Sequence, residues 1–177
     1  MWTYEKKLQY PVKIKNPNPQ TAQIIISQLG GPDGELAASM RYLHQRYSCP
    51  YGKITGILTD VGTEELAHLE IIAAILYQLT RDLSPEQVEG TPFATYFVDH
   101  TTGIYPIAAS GVPFDMKYVG VKGDLLTDIN EDLAADAAIL QEQPLSKNQL
   151  KLLKNDKDKL FSQSNKIFFF KVKHIKF

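Results

Sequence analysis

Residues 54–80 constrain the fold more than any other part of the chain. At about 100° per residue, Ile54, Ile57, Leu58, Val61, Ile72, Ile75, Leu76 and Leu79 fall on one stripe about 100° wide. A helix with such a face has to bury it against other elements, and Asp82 to Pro85 ends it. Two polar residues lie inside the stripe. Glu65 and His68 are three apart, so both side chains project from the buried side.

The flanking sequence has a different texture. Residues 1–19 hold Pro11, Pro17 and Pro19 among basic and aromatic residues and read as an extended arm that packs on something else. Residues 20–47 follow a helical pattern interrupted by GGPDG at 30–34. Two arrangements fit: a short helix over 20–29 followed by a second from Pro32, or one long helix that bends there. From Ser84 to Asp124, four prolines, five glycines and six aromatic residues leave little periodicity, as in a packed-down crossover joining distant ends of a bundle. Helical character returns over about 125–143, with acids at Asp128, Glu131, Asp132 and Asp136. Beyond Pro144 the sequence becomes Lys/Asn-rich and then alternates apolar and basic residues in the manner of an edge strand.

Charge separates the same two regions. Residues 146–177 carry nine Lys and two acids, a surplus of +7, which leaves ten basic and eighteen acidic residues, or −8, for residues 1–145. A body so acidic is a poor grip for a phosphate backbone, so no specific nucleic-acid partner is expected. With 44% apolar and 22% charged residues, the composition is that of a globular chain rather than a disordered one or a membrane bundle. No apolar run approaches the ~20 residues of a membrane span, and MWTYEKKLQYP lacks the apolar core of a signal peptide. One cysteine, Cys49, excludes an internal disulfide, in keeping with cytoplasmic synthesis.

An ionised carboxylate in a core costs several kcal/mol unless it is neutralised, ion-paired or bound to a metal. Glu-x-x-His on an inward helix face is also how ferritin-like di-iron and di-manganese bundles present ligands, and its oxygen and nitrogen donors suit Mn, Fe or Zn. Glu65 and His68 fit either a hydrogen-bonded pair or a metal site. Glu35 is the next candidate, because Gly31, Ala38, Ser39 and Tyr42 would share its helix face and leave space beside the carboxylate. The alternative is a solvated first-turn acid favoured by the helix dipole. Glu64 lies at the border of the stripe. His44 and His100 have no partner pattern, and Cys49 reads as a small packed residue.

The segments GGPDGELAASMRYLHQRY, GILTDVGTEELAHLE, YFVDHTTGIYPIAASGVPF and KGDLLTDINEDLAAD resemble the manganese catalases, particularly the CotJC-type spore-coat proteins. The likeness covers about residues 1–136. It implies an all-α, ferritin-like four-helix bundle with a long crossover, two manganese ions, and dismutation of hydrogen peroxide to water and dioxygen. By resemblance Glu35 is the single carboxylate ligand of the first helix, Glu65 the carboxylate bridging both metals, and His68 the imidazole on the first. Spore-coat location, other spore-coat proteins as partners and a homo-oligomer follow from the same likeness, with no membrane partner.

The departures from the family pattern are specific. The third helix should offer a glutamate where this chain has Asp136, one methylene shorter. The fourth should bring a second Glu-x-x-His, but Phe169 stands where the histidine would fall and His174 has no glutamate three residues before it. The resemblance therefore implies an arm over 1–19, an incomplete bundle over 20–143 without its fourth helix, and a divergent tail over 144–177 of the kind a shifted reading frame produces. A three-helix remnant would leave the stripe of residues 54–80 partly uncovered. Peroxide turnover crippled by the lost ligands is the first expectation, and a non-catalytic structural coat component the second.

Overall fold

The computed structural model describes residues 3–31, 34–99, 104–106 and 115–141. Asn18 starts the first helix, α1 (Pro19–Ile25): its side chain accepts the Thr21 N–H at 3.0 Å, and Pro19 takes the position where a missing donor costs nothing. α2 (Ser27–Gly30) follows directly and stops at Gly31. The backbone turns there, Gly34 N–H donates to the Gly31 carbonyl at 2.9 Å, and α3 (Glu35–Gln45) begins. A Cβ on Gly34 would lie 2.9 Å from the Ser27 carbonyl oxygen, so only glycine lets the start of α3 lie this close to α2. The two-helix arrangement is the observed one, with the second helix starting at Glu35; Pro32 and Asp33 lie outside the described residues.

After a short connection over residues 46–51, α4 (Gly52–Thr80) runs back along α3. Ser39 meets Gly62 and Glu35 meets His68, so partner numbers fall on α4 as they rise on α3, the mark of an antiparallel pair. Most of the apolar stripe is covered. Leu58, Ile72, Ile75, Leu76 and Leu79 are buried along with Glu65 and His68, while Ile57, near the start of the helix, is 43% exposed. The stripe, expected to be partly uncovered, is so at its N-terminal end, where Ile57 is exposed and Ile54 and Val61 are half-buried, while the rest of it is covered. α1, α3 and the N-terminal arm cover it, and the apolar side chains left exposed on α4 are mainly on another side, at Leu66 and Tyr77.

The arm packs on α4. Val12 and Ile14 are buried in the main core with Ala22, Ile26 and the C-terminal half of α4. Gln78 holds the arm in both directions: its Oε1 accepts the Ile14 N–H at 2.7 Å and its Nε2 donates to the Val12 carbonyl at 3.0 Å. Arg81 donates to the carbonyls of Ile14 and Lys15, and Asn18 N–H to the Leu79 carbonyl.

The described parts of the crossover are a one-turn helix, α5 (Pro85–Val88), short 3-10 turns at Pro92–Thr95 and Met116–Tyr118, and an antiparallel ribbon of β1 (Phe97–Asp99) and β2 (Ile104–Pro106). This ribbon is the exception to an otherwise helical chain. Phe97 is buried in the main core, with Phe93 at 6.4 Å between ring centroids and Tyr96 beside it, so these aromatics do pack the crossover down. Phe114 lies outside the described residues, as do the side chains of Tyr105 and Tyr118.

α6 (Leu125–Gln141) buries acids in the part whose side chains are described, residues 125–134. Asp128 and Asp132 are buried, whereas Leu126 is 73% and Leu133 44% exposed. Among the described residues neither apolar core cluster includes a side chain from α6. Residues 142–177, and with them the tail and the expected loss of the fourth helix, lie outside the described residues.

Candidate metal centre

Three polar side chains converge where α3 leaves α2 and crosses the middle of α4. Glu35 is the first residue of α3, yet it is only 4% exposed, with His68 of α4 facing it. That excludes a solvated first-turn acid. Glu65 and His68, one turn apart at the middle of α4, are 0% and 3% exposed. His68 Nδ1 lies 2.7 Å from Glu65 Oε2 and 3.9 Å from Glu35 Oε2. One donor atom from each of the three residues falls within 4.8 Å of the others.

Two buried carboxylates, when ionised, place negative charge beside the imidazole. A divalent cation offsets that charge, and the buried oxygen and nitrogen donors suit Mn, Fe or Zn. The residues present therefore fit a transition-metal ion.

The other candidates separate cleanly. Asp136 lies in α6, and its side chain is outside the described part. Glu64 is half-buried and accepts a hydrogen bond from Gln9 Nε2 of the arm at 3.1 Å, away from the cluster. His44 is exposed and bonds the Met40 carbonyl of its own helix. Cys49 packs against the cluster of Ala38, Tyr42 and Leu58. His100 and His174 lie outside the described residues.

Sequence reasoning missed a second buried polar group. Gln45 Nε2 donates to Asp132 Oδ1 at 2.9 Å and to the Gly120 carbonyl at 3.3 Å, tying α3 to α6 and to the end of the crossover. Asp128 accepts the N–H groups of Lys122 and Gly123 at 2.7 and 3.2 Å. The signal was the i, i+4 spacing of Asp128 and Asp132, which puts both on one face.

The chain is similar to known proteins over most of its length. The model of the manganese containing catalase family matches residues 1–145. The protein CotJC of Bacillus subtilis (strain 168) is 52% identical over 136 residues, which take in 77% of this chain and 71% of that protein. A probable manganese catalase of Clostridium acetobutylicum is 34% identical over 140 residues, and the match spans 61% of its length. The crystal structure of KatB, a manganese catalase from Anabaena, superposes with a TM-score of 0.75 at 26% identity, covering 98% of this chain and 76% of that one. The fold is thus the ferritin-like all-α architecture, and the family's metal is manganese. With its buried Glu35, Glu65 and His68, the chain belongs to the manganese-containing catalase family.

Proposed function

We propose that the chain is a manganese-binding member of its family whose site is built for hydrogen peroxide dismutation at two metal ions. The observation that carries this reading is the convergence of Glu35, Glu65 and His68 in a buried cluster. Glu65 would bridge the two ions, Glu35 and His68 would hold the first, and Asp136 would serve the second. A bound manganese pair supplies the two-electron redox change that converts two peroxides into two waters and dioxygen. The chain's own residues supply the rest. Glu35 and Glu65 offset the cation charge, His68 adds a neutral donor, and burial keeps bulk water from the reacting oxygens.

Turnover by this chain is proposed to be slight or absent. Glu65-x-x-His68 is the only Glu-x-x-His in the sequence, and Asp136 stands one methylene short of the family's glutamate. That shortage of ligands for a second ion supports another reading: a non-catalytic coat component that keeps the bundle and the arm for assembly. In either case we place the protein in the spore coat after cytoplasmic synthesis, as a homo-oligomer among other coat proteins. Its organisation would be an arm over 1–19, an incomplete bundle over 20–143 and a divergent tail over 144–177. Metal analysis combined with oxygen evolution on the purified chain is the test. Less than two manganese per chain and little oxygen are expected; robust turnover with two manganese overturns the crippled reading, and no manganese at all favours the scaffold.

A further inference from the structure

Glycine is a poor residue for a helix interior, yet α4 has both Gly56 and Gly62. Their surroundings differ. A Cβ at Gly56 would meet nothing within 4 Å, whereas at Gly62 it would lie 2.9 Å from Leu43 Cγ, 3.0 Å from Leu43 Cδ2 and 3.1 Å from Tyr42 Cβ. Gly62 is where α3 presses on the backbone of α4. Ser39 closes the same contact with a buried hydroxyl that donates to the Gly62 carbonyl at 2.6 Å.

This contact lies beside the metal donors. Ser39 is four residues after Glu35 on α3, and Gly62 three before Glu65 on α4. In an antiparallel pair these offsets run the same way, so the contact sits about 5–6 Å along the bundle from Glu35 and Glu65 and about 9 Å from His68. Over so short a length a helix is stiff, and the separation fixed at Ser39 and Gly62 carries through to Glu35 and His68.

We infer that Gly62 and Ser39 are positioning residues: the missing Cβ and the hydroxyl–carbonyl bond set the α3–α4 spacing at which Glu35 meets Glu65 and His68 around one cation. The inference rests on the proposed metal centre, and neither residue is itself a donor. A methyl group at position 62 pushes on Leu43 and Tyr42, and α3 carries Glu35 away with them.

The test titrates the metal-free full chain with Co(II), read by its visible d–d bands, and with Mn(II), read by electron paramagnetic resonance. Gly62→Ala is expected to remain helical while losing about tenfold or more in affinity, with an altered Co(II) spectrum. Ser39→Ala shifts the same way by less. Gly56→Ala, the same change where there is room, binds as the wild type and melts higher, since alanine is the better helix former. Leu43→Ala combined with Gly62→Ala removes the two closest contacts, leaving only Tyr42 Cβ at 3.1 Å, and recovers part of the affinity.

Wild-type affinity and spectrum in both Gly62→Ala and Ser39→Ala would overturn the inference, as would a double variant that fails to recover while Leu43→Ala alone binds normally. If Gly62→Ala does not fold, Ser39→Ala decides. A wild type that takes up neither metal removes the proposed centre instead. The 15N shifts of the His68 ring in metal-free protein at fixed pH then decide the spacing: moved in Gly62→Ala and partly restored in the double variant they support it, unmoved they overturn it.

Discussion

Glu65 is the side chain on which the site turns, with no solvent exposure, an imidazole at 2.7 Å and a second carboxylate close by. Glu65→Ala removes one of the three clustered donors and is expected to abolish manganese uptake, as read by metal analysis of the purified variant. His68→Ala should lose uptake as well. These two residues were legible in the sequence because a helix of this length fixes direction by counting alone. Glu35 was not legible to the same degree. Its burial depends on α3 packing against α4, a contact between helices that no local rule reports. Asp128 and Asp132 were passed over for a related reason: acids on a helix read as its wet side, and only the partners Gln45, Lys122 and Gly123 reveal the opposite.

The helices differ in what holds them. The N-terminal arm is held on α4 by the burial of Val12 and Ile14 and by hydrogen bonds, of which Gln78 makes one to each of these two residues. Gln78→Ala leaves two backbone groups without their bonds and is expected to cost about 1–3 kcal/mol, with faster hydrogen exchange at the Ile14 amide as the local readout. α6 instead begins on a carboxylate cap. The side-chain and backbone hydrogen bonds from Thr127 hold the Asp124 carboxyl below the usual carboxylate range. A carboxyl lowered by folding contributes stability that is full above its unfolded value and is lost as pH falls through its folded one. Asp124→Ala should therefore lower the melting temperature at neutral pH, and the gap from wild type should close in acid. The ribbon within the crossover was beyond sequence reading, because strands of three residues leave no period to count.

At the level of the whole molecule, the bundle architecture was legible from one long amphipathic helix, a helical pattern on either side and a crossover between. What the crossover covers was not, because Phe97 and Val88 reach the core through contacts between residues distant in sequence. A cation that binds only the folded chain stabilises it by mass action, by about 2.7 kcal/mol at a free concentration one hundred times its dissociation constant. Thermal melts at increasing manganese should climb steadily in the wild type and stay flat in Glu65→Ala. A wild-type melt indifferent to manganese would contradict the metal centre.

The pairing of α3 with α4 has a bearing on biosynthesis. All three clustered donors come from a single helical hairpin, between positions 35 and 68 of 177. Neighbouring helices joined by a short turn can associate soon after they emerge, before the crossover and α6 have left the ribosome. The cation cage can then close while the later segments are still to emerge, and a captured ion would act as a template on which they assemble.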